Sequence, residues 1–267
     1  MRLLAHISDL HFGADDPVVA EGLIKDLATL NPHLVAVSGD VTQRARRGQF
    51  RAAREYLARI DAPQIIVPGN HDVPLYNVVA RFGWPLANYA EFITDNLFPT
   101  FHDAELAVAG VNTARSFTWK DGRLSADQID QLRRYFCSQP PEVHKILVAH
   151  HPFIPPVADP TAALVANAPL ALRMLESCGG ALVLAGHLHL AYAGDVRPHH
   201  VEIKKSILVA QAGTAISHRR RDESNAYNLL TLDGDRLRLE VRAWTGQKFA
   251  PSGHADYIHH DYAWTPA

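Results

Sequence analysis

The chain has 267 residues, 47% hydrophobic and 20% charged, with a formal net charge of −2. That length and composition suit a globular α/β protein with a large core. No apolar run reaches the ~18 residues of a membrane span, and no global basic field is present to hold a nucleic acid. The apolar start MRLLAHISDLHFG has no long h-region and is interrupted by Asp9 and His11, so no signal peptide is expected. Cys137 and Cys178 show no disulfide or zinc spacing, and a reducing cytoplasm is the expected compartment.

In chain order, LLAHIS predicts a first strand. Asp16-Pro17 places an N-cap before a proline at the first helical position, and VVAEGLIKDLATL follows as a helix. LVAVS predicts a strand, GQFRAAREYLARI a helix, QIIV a strand, WPLANYAEFITDN a helix and LAVAGVN a strand. Ser125 and Gln128 form a capping box before the helix IDQLRRYF. KILVA, LALRMLES and ALVLA predict strand, helix and strand. AYAGDV, HVEIKK, SILVAQAG, YNLLTL and LRLEVRAW then read as strands joined by short turns. The expectation is one α/β (α+β) domain over 1–267 with two sheets and flanking helices. It is rich in βαβ units to about residue 190, then a β meander and a C-terminal tail.

The 16 histidines are unevenly placed. Five strand ends carry ligand types: Asp9 and His11; Asp40; Asn70, His71 and Asp72; His150 and His151; His187 and His189. Ligands of α/β sheets sit beyond the carboxyl ends of the strands, so these residues can converge on one rim. Asp9 and His11, two apart, can point the same way from an extended segment, and His187 and His189 repeat that spacing. Imidazole and carboxylate donors suit Mn, Fe or Zn. Asp40 has two oxygens and is the candidate bridge, while Gly39, Gly69 and Gly186 let the backbone turn beside the ligands. Two divalent ions bring about +4, two carboxylates remove about 2 and a metal hydroxide about 1, leaving positive charge for a phosphate. Either His150 or His151 closes the cage on this reading.

The ordered set D-x-H, G-D, G-N-H-D, H-H-P and G-H-x-H, spread over residues 9 to 189, resembles the calcineurin-like metallophosphoesterase superfamily. The I-S-D-L-H start is similar to that of the bacterial class III cyclic-nucleotide phosphodiesterase branch. The resemblance implies a two-sheet β-sandwich flanked by helices in four layers. It implies two divalent or mixed-valence metal ions (Mn, Fe or Zn), one held by Asp9, His11 and His189, the other by Asn70, His150 and His187, with Asp40 between them. His71 is implied to contact the phosphate and assist the leaving group, with Asp72 either orienting it or capping the turn. His151 is implied to lie near the second ion or to face substrate. The implied activity is hydrolysis of a small diester such as a cyclic nucleotide; a phosphomonoesterase, a nuclease and a non-catalytic scaffold are the alternatives. The expected partner is a small phosphoester, with neither membrane nor nucleic acid; a homodimer is implied by the resemblance alone. Asn112, just after a strand, reads as a turn residue, with contact to substrate as the alternative. Arg219, Arg220 and Arg221 after His218, and Arg44, Arg46 and Arg47, read as solvated charges, with guanidinium contact to phosphate as the alternative. His6, His33, His102, His144, His199, His200, His254, His259 and His260 read as ordinary surface or strand residues, unless the tail folds over the site.

Overall fold

The structure, a computed structural model, describes residues 1–220, 223–260 and 263–267. The chain opens with β1 (Arg2–Ile7), α1 (Pro17–Leu30), β2 (Leu34–Ser38), α2 (Arg47–Leu57) and β3 (Gln64–Val67). A 3-10 turn at Asn70–Asp72 leads to α3 (Val78–Gly83), α4 (Ala87–Phe92), β4 (Thr100–His102) and β5 (Leu106–Gly110). Next come α5 (Ala126–Cys137), β6 (His144–Val148), α6 (Ala168–Ser177) and β7 (Leu182–Ala185). The last part holds β8 (Tyr192–Asp195), β9 (Leu208–Gln211), β10 (Ala226–Asp233), β11 (Arg236–Trp244), β12 (Phe249–His260) and β13 (Ala263–Pro266).

Two sheets form, ordered β13-β12-β11-β10-β1-β2-β3 and β4-β5-β6-β7-β9-β8. β1, β2 and β3 are parallel in the first, and β5, β6, β7 and β9 in the second. Leu4, Ala36 and Val67 of the first sheet bury against Val108, Ile146 and Leu184 of the second. The outer face of the first sheet, Ala5, Ile7, Val35 and Val37, packs on Leu23 and Leu27 of α1 and Phe50 and Leu57 of α2. The outer face of the second packs on Leu132 and Phe136 of α5 and Leu172 and Leu175 of α6. The order is helix, sheet, sheet, helix: the four-layer α/β sandwich expected. Strands covered on both faces are apolar at successive positions, which is why they read as unbroken runs.

Local chemistry sets the helix ends. The Asp16 carboxylate accepts from the Val18 and Val19 amides at the start of α1, and Ser125 with Gln128 completes a capping box on α5. The helix expected over 84–96 is shorter because Thr94 Oγ1 accepts from the Asn96 amide and Asn96 Oδ1 from Phe98. Such side chains draw the backbone out of a helix. Residues 200–205 are not a strand: His200 bonds the Phe153 carbonyl, and the Glu176 carboxylate takes the Lys204 and Lys205 amides. The meander is β10–β13 only, because β8 and β9 belong to the other sheet. Residues expected as a tail form the outer strands of the first sheet, with Trp264 buried and its indole N–H on the Ala181 carbonyl. His254, His259 and His260 therefore lie on an edge hairpin, not over the strand ends.

The cysteine reading is corrected as well. Cys137, closing α5, is bonded to Cys178, which caps α6, with Cα atoms 4.6 Å apart. The pairing follows from two helices docked side by side on one sheet, and a separation of 41 residues encodes none of that. No helix among the described residues is long and apolar enough to cross a membrane.

Candidate metal centre

The strands β1, β2 and β3 of one sheet and β6 and β7 of the other end at the same rim. There the backbone departs from the extended path expected. Asp9, His11, Asp40, His187 and His189 all have positive φ, between 48° and 79°. For a non-glycine residue this region costs about 1 kcal/mol or more, and such strain concentrates at functional sites. Asp9 and His11 converge because left-handed residues flank Leu10, and His187 and His189 do the same around Leu188. Gly39, at φ 91°, and Gly69 permit the close approach: a Cβ at the first would overlap the His150 ring, and at the second the Asp40 carboxylate and amide.

The expected ligands gather into two overlapping sets. In the first, His11 Nε2 stands 3.5 Å from Asp9 Oδ1, and His189 Nε2 is 3.7 Å from that same oxygen. In the second, Asn70 Oδ1 is 3.0 Å from His187 Nδ1 and 3.2 Å from His150 Nε2, and those two nitrogens are 3.3 Å apart. Asp40 faces both: Oδ2 is 3.7 Å from His11 Nε2, and Oδ1 is 3.5 Å from His150 Nε2. The seven residues thus lie in two neighbouring sets with one carboxylate between them.

A surrounding layer fixes which atom four of these residues present. His150 Nδ1 lies 2.8 Å from the Ser38 carbonyl, so it donates there and leaves Nε2 as the free acceptor. His189 Nδ1 is held by Thr214 Oγ1 at 2.6 Å. Ser8 Oγ donates to Asp9 Oδ2 at 2.6 Å. The Asn70 amide donates to the Trp119 carbonyl, which turns Oδ1 inward. Such partners orient metal ligands and raise their basicity. None was singled out in the sequence, because Thr214 and Trp119 lie in distant loops and Ser38 acts through its backbone.

Chemistry of the donors fits metal ions. Asp9 Oδ1 and both ring nitrogens of His11 are buried without hydrogen-bond partners, a costly state unless something else satisfies them. Burial disfavours the Asp9 and Asp40 anions, yet the rings around them hold both carboxyls below the ordinary range. Burial lowers His150, but Asp40 and Asp9 push it up to about 9. Burial and His150 push His187 down to about 3. One imidazolium among two carboxylates is what a divalent cation would replace on binding. The groups Asp9–His11–His189 and Asp9–Asp40–His150 each bring their donor atoms within 4.8 Å of one another.

His71 stands at the edge. Its amide donates to Asp40 Oδ1 at 2.8 Å, its Nδ1 lies 2.9 Å from the Gln43 carbonyl, and its Nε2 lies 2.8 Å from Arg219 Nη1. Arg44 Nη1 is 3.3 Å from Nδ1. Two arginines read as solvated charges therefore flank this ring. Arg46, Arg47 and His218 are exposed; Arg47 pairs with Glu91 and Arg220 reaches Asn225, while Arg221 lies outside the described residues. Asp72 is not bonded to His71. Its carboxylate accepts from the Val41, Thr42 and Gly69 amides and from Thr42 Oγ1, so it braces two loops, and burial with Asp40 nearby pushes it up to about 6. Of the two expected roles, the hydrogen bond to His71 is not made, while the bond from the Gly69 amide caps the turn that Asp72 closes. His151 is buried with Nδ1 2.7 Å from Thr113 Oγ1, beside His187 but outside the cleft lining. Asn112 accepts from the Ala114 amide as a turn residue. His6 is not superficial: it lies fully buried on Ser38 Oγ.

The family model described as calcineurin-like phosphoesterase matches residues 3–191. The chain belongs to this family. The match takes in both donor sets, from Asp9 to His189, and calcineurin-like phosphoesterases use a dimetal centre. A glycerophosphodiester phosphodiesterase, GpdQ, of Enterobacter lignolyticus is 31% identical over 161 residues, covering 52% of this chain and 57% of that protein. A probable cyclic nucleotide phosphodiesterase of Synechococcus is 24% identical over 202 residues, 71% of this chain and 74% of that protein. The matched part thus spans little more than half of the first relative and about three quarters of the second. A dimetal phosphatase from Danio rerio has the same fold, with a TM-score of 0.67 at 15% identity over 94% of this chain and 98% of that one.

Proposed function

We propose that residues 1–267 form one metallophosphoesterase domain that hydrolyses small phosphodiesters at a dimetal centre. The observation that carries this is Asp40, whose two oxygens face two separate donor sets. Asp9, His11 and His189 would hold one ion, Asn70, His150 and His187 the other, and Asp40 both. Nitrogen and oxygen donors without thiolate suit Mn, Fe or Zn. Bound ions of that kind supply positive charge for the phosphate and lower the pKa of water.

The chain's own groups complete the site. A cleft of about 310 Å³ is lined by Asp40, Asn70, His71, His187 and His189, with Lys120 and Arg219 at its mouth. His71 Nδ1 donates to the Gln43 carbonyl and Nε2 accepts from Arg219, so Nε2 would be free for a proton at the leaving oxygen once the guanidinium turns to the phosphate. The names of the relatives point to diesters, either cyclic nucleotides or glycerophosphodiesters. The cytoplasmic location and the homodimer are likewise proposals. Free-thiol titration of protein from a reducing cell tests the first against the Cys137–Cys178 bond, and sedimentation tests the second.

The deciding experiment loads the protein with Mn, Fe or Zn and assays a cyclic nucleotide, an aryl diester and an aryl monoester side by side. Turnover of the diesters is expected to exceed that of the monoester; a preference for the monoester overturns the diester reading, and no turnover overturns the enzyme. His71→Ala should keep its metal and lose about 10²–10⁴-fold in kcat on an unactivated diester. Full activity in that variant removes His71 from the mechanism.

A further inference from the structure

Every exposed Phe, Tyr and Trp among the described residues lies in two short segments, 76–84 and 117–119. Tyr76, Phe82, Trp84, Phe117 and Trp119 are each more than half exposed. The segments form one ledge. Buried Arg81 donates to the Pro74, Ser116 and Thr118 carbonyls and staples them together, and the Phe82 and Phe117 rings pack 5.3 Å apart. A contiguous patch of this kind on a folded surface marks an interaction site.

The ledge is continuous with the metal centre. The Trp119 carbonyl holds the Asn70 amide. The cleft over the donors shares Asn70, His71 and Lys120 with a second cleft of about 230 Å³, lined also by Leu75, Trp119 and Arg44. That cleft shares Val73 with a third, of about 450 Å³ and mainly apolar, lined by Trp84, Pro85, Leu86, Ala90 and Leu97. Cations sit where the apolar track meets the polar one: the Arg44 guanidinium lies 6.0 Å from the Tyr76 ring centre, and Lys120 and Arg219 line the cleft over the donors, together with the carboxylates Asp121 and Asp159.

We infer that ledge and third cleft take the apolar chain of an amphiphilic phosphodiester, docking the protein on a lipid surface with the phosphate turned toward Arg44, Lys120 and Arg219. An amphiphile brings its apolar chain and its anionic phosphate to the same rim, in the order the track presents them. Trp and Tyr beside Lys and Arg are the side chains that settle at the boundary of hydrocarbon and headgroup. The expectation of no membrane partner rested on the lack of a spanning segment, which does not bear on a peripheral contact.

This inference rests on the phosphodiesterase reading, and the test separates the two. Metal-loaded protein and its F82S/F117S variant are sedimented with vesicles of phosphatidylcholine and phosphatidylglycerol in equal parts. Both are then assayed on a long-chain alkyl aryl phosphodiester and on a water-soluble aryl diester. The wild-type chain should sediment with vesicles, and the variant should bind at least about tenfold more weakly. Its turnover ratio of long-chain to soluble substrate should fall in proportion. Wild-type protein left in the supernatant overturns the inference, as does equal binding by the variant. A wild-type dimer in vesicle-free solution that the variant converts to monomer also overturns it, because the ledge is then a self-association surface. Loss of turnover on the soluble diester by wild type strikes the phosphodiesterase reading and leaves the vesicle result standing.

Discussion

The metal centre and the aromatic ledge lie within one hydrogen bond of each other, at Asn70 and Trp119, and are built on opposite physical terms. The centre is buried, backbone-strained and held in large part by oriented partners such as Ser38, Thr214 and Trp119. The ledge is exposed, its rings held by little beyond the Arg81 staple and one another. A site that must fix donor atoms to a fraction of an ångström needs rigid support. A surface that meets a soft apolar phase needs area, not precision. Rigidity at the centre comes from strand ends and loop braces; the ledge sits on a short helix and a loop, where substitution is tolerated.

Four substitutions probe that contrast, from the largest expected effect downward. Asp40→Ala should empty both donor sets, seen as loss of metal by elemental analysis together with turnover at background. Retention of two ions would show that the sets are independent. Asp72→Ala leaves the Val41, Thr42 and Gly69 amides buried without an acceptor. It should cost about 3 kcal/mol of stability, read in denaturant unfolding. A variant with unchanged stability but lost activity would return Asp72 to a catalytic role. Thr214→Val removes the partner of His189 Nδ1 and should weaken metal affinity about tenfold in a competition titration, with the fold intact. F82S/F117S should change unfolding free energy by less than about 0.5 kcal/mol, as expected for exposed side chains. A larger loss would make the ledge part of the folded framework.

Much of the centre was legible because its donors are rare residue types placed where strands stop. Asp9, Asp40, Asn70, His150 and His187 each follow a run of apolar residues, and strand ends of parallel sheets meet by topology. The capping box at Ser125 and the N-cap at Asp16 were legible for a similar reason, since both are local. The positive φ at Asp9 and His11 was not, because nothing in D-L-H distinguishes an extended segment from a left-handed one. Partners such as Thr214 for His189, and Cys137 for Cys178, depend on which loops and helices dock together. Residues 200–205 alternate like a strand and lost that role to Glu176, whose carboxylate takes the Lys204 amide across 28 residues of sequence. The ledge escaped notice because apolar residues in 76–84 read as core until their exposure is seen.

The left-handed backbone at five ligand positions carries a consequence for descent. Aspartate and histidine stand where glycine or asparagine would rest more easily. On the dimetal reading proposed above, bound ions would offset that discomfort. In a lineage that abandons the chemistry, these are the positions where drift should run first and in a known direction, toward Gly and Asn. Asn70 and His150, outside the strained set, should linger. A decayed copy of this site would thus be recognised by the order in which its cage dissolves.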